Sequence, residues 1–266
     1  MLWLLTNLSR YGQTIRNKNN LKQKIMKEPK WWLDTESLQG SDFAMSTAFS
    51  ALMRKVFIWM ALALVITGVT AYGVATTPSL LIAIVTNKAL FWGLIIAELA
   101  LVFAVSGAIN RLSLATATLL FVLYSVVNGA TLSVIFLAYS MPAIIQTFFI
   151  TAGTFGVMAL VGYTTKTDLT SLGKLLFMAL IGLVIATVVN MFVGSTGFDY
   201  ILSYVGVLIF VGLTAYDTQK IKQMCMQAPD AGEHMQKLAL LGALSLYLDF
   251  INLFLYLLRI FGNNKD

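Results

Sequence analysis

Residues 238–261 read LALLGALSLYLDFINLFLYLLRIF and decide the fold of this chain. The stretch is long enough to cross a bilayer as one helix at about 1.5 Å per residue. It carries a carboxylic acid, Asp249, near its middle, where an acid costs about 3 kcal/mol on insertion scales. Small and polar residues share the helical stripe of this acid, whereas Leu, Phe and Ile occupy the other faces. These residues are Gly242, Ser245, Asn252 and Tyr256. We therefore expect this helix to face the interior of a membrane protein.

The composition of the whole chain agrees with this interpretation. Of its 266 residues, 58% are hydrophobic and only 11% are charged, whereas about a quarter are charged in soluble proteins. Six further apolar stretches have the length of a membrane-spanning helix. They are residues 56–75, 89–109, 114–137, 143–163, 175–193 and 200–216. The sequence thus predicts an all-α, polytopic membrane protein with seven transmembrane helices and short connections that leave no room for a soluble catalytic domain.

The distribution of Lys and Arg predicts the topology. The N-terminal segment and the loops after helices 2, 4 and 6 carry fifteen of them, and the opposite side carries three. The positive-inside rule therefore places the N-terminus in the cytoplasm and, after seven crossings, the C-terminus outside. The basic leader indicates contact with anionic lipid and not a nucleic-acid site. In the absence of organelle-targeting features, a bacterial inner membrane is the expected location.

We expect two parts in the chain. Residues 1–52 form a basic cytoplasmic segment, and residues 53–262 form the seven-helix domain. Met26 would also serve as a start, so residues 1–25 are not counted as native. Cys225 and His234 fall in the longest predicted loop, which is interpreted as solvated surface. Because Cys225 is the only cysteine, it cannot form an internal disulfide.

Two charged residues belong to the second predicted helix. Glu98 lies near its middle, and burial in the bundle interior is favoured because a lipid-facing acid would be costly. Arg111 follows its end and is either a snorkelling anchor favoured by the helix dipole or a counter-ion for a buried acid. The third helix carries Tyr124, Asn128 and Thr131 at helical spacing, which indicates hydrogen bonding between helices or a cavity lining.

A third acid, Asp217, stands at the cytoplasmic end of the sixth helix, on the side where the seventh helix enters. Asp249 lies roughly 16 Å into that helix, so contact requires a later start of helix 7 or a continuation of helix 6 past Lys222. Otherwise Asp217 is a solvated charge at a helix end. If the two acids meet in a low dielectric, they cannot both ionise readily and share a proton, which makes the pair a pH sensor.

Two segments carry a family resemblance: GLTAYDTQKIK, residues 212–222, and ALSLYLDFINLFLYLLRIFG, residues 243–262. The chain resembles the Bax inhibitor-1 family, also called the transmembrane Bax inhibitor motif family, over about residues 50–262, and is most similar to its prokaryotic members. The resemblance implies that the last helix is central to the bundle. The chain differs from the pattern of the family in its basic leader and in a longer predicted loop between helices 6 and 7.

The resemblance also implies a function, a pH-sensitive calcium leak. By motif, Asp217 and Asp249 match an aspartate pair that senses pH; by location alone, Arg111 matches a basic residue that bonds to the pair. Calcium ions would bind the two aspartates transiently. Further residues are assigned to the ion pathway, one by its match to an acid inside helix 2 and three by their place on the polar stripe of the last helix. These are Glu98, Asn252, Tyr256 and Ser245.

The residues themselves leave several functions open. Carboxylates suit a hard cation such as Ca²⁺, but they do not select it over Na⁺ or K⁺, so calcium specificity comes only from the resemblance. We expect lipid, calcium and protons as partners and no enzyme activity or bound cofactor. A regulator that binds other membrane proteins, such as a protease or cell-death factors, is the main alternative, and a proton-coupled exchanger is another. An intramembrane aspartyl protease is disfavoured because Tyr247 and Leu248 precede Asp249 where such enzymes carry Gly-x-Gly.

Overall fold

The computed structural model describes residues 35–227 and 232–262, with side chains described from residue 47 onwards. The predictions for residues 1–25 and for the basic leader lie outside the described residues. By internal contacts the chain divides into residues 1–43 and residues 44–266. The bundle described below belongs to the second unit. The division into residues 1–52 and 53–262 stays a prediction.

Nine helices occupy the described residues. In chain order they are α1 (Thr35–Ala75), α2 (Pro78–Thr86), α3 (Lys88–Ala108), α4 (Leu114–Leu132), α5 (Ile135–Ala138), α6 (Met141–Thr164), α7 (Thr170–Val193), α8 (Thr196–Met226) and α9 (Glu233–Phe261). Seven segments are long and apolar enough to span a membrane. The predicted all-α class and the seven spanning helices are therefore confirmed.

Short polar residues begin several of the spanning helices. Asn87, Ser113, Ser140 and Ser195 each accept a hydrogen bond from a backbone N–H in the first turn of the following helix. Such caps satisfy donors that have no partner within the helix. At the other end of α7, Gly194 adopts a left-handed conformation with φ 68°, which a residue with a side chain rarely tolerates. These signals explain the tight connections between helices.

The predicted loop between helices 6 and 7 is wrong. Helix α8 continues to Met226 and α9 begins at Glu233, so only residues 227–232 separate them. Cys225, expected on solvated surface, is buried within α8, whereas His234 is exposed in the first turn of α9. Hydropathy places the end of the sixth helix too early because its last turns carry Lys220 and Lys222, although Ile221 and Cys225 between and after them are buried.

The last helix is the most enclosed of the seven. In its most apolar window 67% of the residues are buried, against 6% in α3 and 11% in α7. It packs against α8, α6 and α4, and α8 in turn packs against α6 and α7. Its central position in the bundle stays a prediction of the family resemblance, which this burial supports.

Candidate functional site

Asp249 lies inside the protein, on the helix that is buried most. Its side chain is 5% exposed, so it does not face the acyl chains of a bilayer. Among the described residues its Oδ2 atom has no hydrogen-bond partner. A buried carboxyl oxygen without a donor is costly, whichever protonation state it holds. The fold thus keeps an incompletely satisfied acid in the middle of α9.

Asp217 belongs to the last third of α8 and is half-buried. It lies near enough to Asp249 for the charge of one carboxyl to act on the other. The cation that acts most on Asp217 is Lys220, one turn further along the same helix. The continuation of α8 past Lys222, one of the two arrangements that allow an approach, is the one that the structure adopts. The two aspartates therefore lie within electrostatic range of each other on the last two spanning helices, and their role as a proton-sharing pair stays a prediction.

Glycines allow the neighbouring helices to approach α8 beside Asp217. A Cβ atom on Gly162 of α6 would collide with the backbone carbonyl of Ala215. A Cβ on Gly173 of α7 would lie 2.5 Å from the ring of Tyr216. Since backbone atoms and a packed ring cannot give way by such amounts, larger residues at these two positions would push α6 or α7 away from the segment that carries Asp217.

Gln219 fastens the same segment to the connection between α6 and α7. Its Oε1 accepts a hydrogen bond from the Leu169 N–H at 2.9 Å, and its Nε2 donates to the Thr167 carbonyl at 2.8 Å. One helical turn later, Lys222 Nζ donates to the Tyr163 carbonyl at 2.6 Å. The buried Gln219 amide thus uses both its donor and its acceptor side, which fixes the rotation of α8 next to Asp217.

Glu98 is held in a different way, by a hydrogen-bond network across four helices. Asn128 Nδ2 donates to Glu98 Oε2 at 3.1 Å, and the Tyr247 hydroxyl donates to Asn128 Oδ1 at 2.9 Å. The Tyr247 hydroxyl oxygen lies 2.7 Å from Thr67 Oγ1. Among the described residues, the Oε1 atom of Glu98 has no hydrogen-bond partner. We call Thr67, Tyr247, Asn128 and Glu98 the glutamate network.

The hydroxyl hydrogens of the glutamate network have a preferred direction. Thr67 and Tyr247 offer one hydroxyl hydrogen each, but their oxygens make three contacts, the third being Thr67 with the Ser125 carbonyl at 3.0 Å. When Thr67 donates to Tyr247 and Tyr247 donates to Asn128, each hydrogen bond between the side chains of the network has a donor and an acceptor, and only Glu98 Oε1 lacks a partner among the described residues. The Ser125 carbonyl loses little, because a mid-helix carbonyl already accepts a bond within its own helix.

The other predicted site residues are not joined to the aspartate pair. Arg111 is exposed after the end of α3, and within the described part of the chain it makes no ion pair with either aspartate. Asn252 donates to the Leu248 carbonyl of its own helix. Tyr256 stacks on Phe210 with ring centroids 5.9 Å apart, and Ser245 is half-buried. Their assignment to a gate or an ion pathway stays a prediction.

Sequence reasoning missed Tyr247, Thr67 and Gln219. A tyrosine inside an apolar run was a usable signal, since a buried phenol normally finds a hydrogen-bond partner. Gln219 gave no such signal, because in the sequence it resembles any polar residue near the end of a helix. Over the described residues, no cluster of three or more His, Cys, Asp or Glu side chains could hold a metal ion. Within that part of the chain, a cation would therefore meet at most two acids at one place.

Comparisons with known proteins place the chain in a family. A family model described as inhibitor of apoptosis-promoting Bax1 matches residues 50–266. Inner membrane protein YbhL of Escherichia coli K12 is 49% identical over 214 residues, which cover 80% of this chain and 92% of that protein. An uncharacterised protein of Borreliella burgdorferi is 47% identical, with the same coverage of both chains. One from Rickettsia prowazekii is 43% identical over 217 residues, or 80% of this chain and 90% of its own.

The matched region includes Glu98, Asp217 and Asp249. It also includes all the spanning helices, apart from the start of α1. A match of this length, with 49% identity to a bacterial relative, is stronger evidence of kinship than a shared number of helices. The resemblance predicted from residues 212–222 and 243–262 is thereby confirmed. The chain belongs to the Bax inhibitor-1 family of integral membrane proteins.

Proposed function

We propose that this protein is a passive cation leak in a bacterial inner membrane. Protons regulate the leak, and Ca²⁺ is a cation that passes through it. The observation that carries the proposal is Asp249, a buried acid with an unpartnered oxygen within electrostatic range of Asp217. Two carboxyls within electrostatic range in a low dielectric do not both ionise readily, so the number of protons that the pair holds depends on pH. The name of the Escherichia coli relative, inner membrane protein YbhL, supports the location.

The mechanism follows from the change in charge of the pair. When both carboxyls are ionised, the repulsion between them and the attraction of each to a cation such as Lys220 or Arg111 favour separation. When they share a proton, the repulsion is replaced by a hydrogen bond, so α8 and α9 favour a different spacing. A change of this kind alters the width of a path between the two helices and hence the passive flux of cations.

A liposome assay with a calcium-sensitive dye tests this proposal. We expect Asp249→Asn and Asp217→Asn to remove most of the dependence of calcium flux on pH, because an amide cannot gain or lose the proton. The matched control is Asp168→Asn, an exposed acid in the connection before α7, which should leave the flux and its pH dependence unchanged. If both pair variants behave like the unmodified protein, the proposed pH sensor is excluded.

The same vesicles distinguish a leak from an exchanger. A leak moves calcium only down its own gradient, whereas a proton-coupled exchanger accumulates calcium against that gradient when a pH gradient is imposed. We expect no accumulation. Replacing Ca²⁺ with Na⁺ or K⁺ in the same assay measures the selectivity, which two carboxylates alone do not provide.

A second candidate function, binding of other membrane proteins, is favoured by the unequal burial of the spanning helices. Helices α3 and α7 expose most of their apolar surface within the described chain, and a partner helix would find room there. The description of the family as an inhibitor of apoptosis-promoting Bax1 agrees with such a role. A purified protein that moves no ions but is recovered with a stoichiometric membrane partner would favour this function over the leak.

A further inference from the structure

An apolar cavity of about 310 Å³ opens beside the last helix. Four spanning segments form it: the second half of α1, the end of α4 with α5, the start of α6 and the second half of α9. Its walls include Gly68, Tyr72, Phe148, Phe250 and Phe254. We call this space the apolar cavity.

Water is a poor occupant of the apolar cavity. A buried water molecule needs two to four polar partners, and the side chains that line the cavity are apolar except Thr67 and Tyr72. The Thr67 hydroxyl is already engaged with Tyr247 and lies against the Ser125 carbonyl. A polar solute meets the same obstacle, because its hydrogen-bonding groups would remain unsatisfied.

The rim of the apolar cavity is continuous with the lipid-facing surface. Phe149 is 69% exposed, Tyr72 is 51% exposed and Ile145 is 47% exposed, although all three line the cavity. Side chains at this position face hydrocarbon in a membrane, where acyl chains are by far the most abundant apolar species. The volume is about twice the roughly 150 Å³ that accommodates a benzene ring, so the cavity has room for a segment of an acyl chain.

We propose that the apolar cavity is a binding site for one acyl chain of a membrane phospholipid. Phe148 forms edge contacts with Phe250 at 5.5 Å and with Phe254 at 6.4 Å between ring centroids, which gives the cavity an aromatic wall. Thr67, which also lines the cavity, belongs to the glutamate network, and Phe250 directly follows Asp249. A bound chain therefore touches the helix that carries the aspartate, but the binding does not depend on ion transport.

Gly68 allows a specific block of this site. A Cβ atom added at Gly68 meets no atom within 4 Å, so Gly68→Leu extends into open space at the cavity without a collision with the backbone. Gly73 lies on the same helix with equal space around it but does not line the cavity. Gly73→Leu is therefore the matched control. Both substitutions replace glycine with a better helix former, so we expect both variants to fold.

The experiment uses the full chain, reconstituted with phosphatidylethanolamine that carries a photoactivatable diazirine in one acyl chain. After irradiation, mass spectrometry of peptides locates the attached lipid. We expect residues 64–72 and 141–149 to be labelled at least fivefold more than α7, with saturation at one lipid per protein. Gly68→Leu should reduce this labelling at least fivefold, and Gly73→Leu should leave it unchanged.

Three outcomes would overturn the assignment. Labelling of the cavity equal to that of α7 means only general contact with surrounding lipid. Labelling that Gly68→Leu does not reduce, in a variant with unchanged elution and thermal unfolding, means that the lipid binds elsewhere. Cross-links from the cavity to a second copy of the chain, formed when a photoactivatable group replaces Phe149, mean that the occupant is a protein side chain.

Discussion

Two of the acids in the spanning helices, Glu98 and Asp249, are held in opposite ways. Glu98 has a side-chain donor, Asn128, which is itself held by Tyr247 and Thr67. Each acid has one unpartnered oxygen among the described residues, but Asp249 is more deeply buried and has another acid nearby. A network with nearly all its members satisfied stiffens the protein around one protonation pattern. An acid with an acid as its neighbour has no single preferred pattern, and this difference separates a structural site from a site that can respond to pH.

The strongest test of the comparison exchanges each acid for its amide. Asp249→Asn should reduce the ratio of calcium flux at acid and neutral pH to about one, because the pair loses its shared proton. Glu98→Gln should keep most of the ratio, since the amide oxygen still accepts from Asn128. Flux measured in liposomes over a range of pH checks both. If both variants lose the dependence of calcium flux on pH equally, Glu98 takes part in pH sensing, and the two acids do not differ in function.

A second test removes one hydroxyl from the glutamate network. Tyr247→Phe leaves the Asn128 carbonyl oxygen without its donor, and an unsatisfied buried group costs about 1–3 kcal/mol. We expect a lower unfolding temperature in detergent. Tyr124→Phe is the control, because Tyr124 is buried against the same ring at 5.6 Å but its hydroxyl makes no hydrogen bond within the described residues. If both variants lose the same stability, packing and not the network holds Glu98.

A third test concerns the support of Asp217. Gln219→Met removes two hydrogen bonds to the α6–α7 connection while it keeps most of the side-chain volume. We expect a loss of about 1 kcal/mol in unfolding free energy, since the freed backbone groups can bind water, and a displaced pH midpoint of calcium flux. Gln223→Met, one turn further on the exposed side of α8, should change neither quantity. An unchanged midpoint in Gln219→Met would mean that Asp217 needs no positioning from this connection.

The smallest expected effect is on stability, from a substitution of Asp168. This acid is exposed to water and accepts two hydrogen bonds. Hydrogen bonds from the Thr170 hydroxyl and N–H hold the pKa of Asp168 below its ordinary value. A lowered pKa in the folded state means that the contribution to stability is complete above the unfolded pKa and is lost as the pH falls through the folded one. Asp168→Asn should therefore narrow the difference in unfolding temperature between neutral and strongly acidic pH. A difference that does not change would show that these bonds add nothing to stability.

Several features of the site could not be predicted, and the reasons are physical. Hydropathy marks helix ends near the membrane surface poorly. The predicted span therefore stops at residue 216, whereas α8 continues to Met226 and buries Cys225. Contacts between side chains far apart in the chain, such as Gln219 with Leu169, depend on helix rotation and depth. One sequence contains no direct record of either quantity. The family resemblance identified the aspartates, but it did not supply the partners that hold them.

The sequence by itself determined the all-α class and the seven helices that are long and apolar enough to span a membrane. Apolar length sets the number of crossings, because every backbone group in lipid must be satisfied within its own helix. The motifs around Asp217 and Asp249 also determined the family. Only the tertiary structure decided which polar groups meet: it joined Glu98 to Tyr247 through Asn128 and left Asp249 beside Asp217 with an unpartnered oxygen. The reason is that helices in lipid are paired by close packing and by a few hydrogen bonds, which depend on all the surrounding helices together.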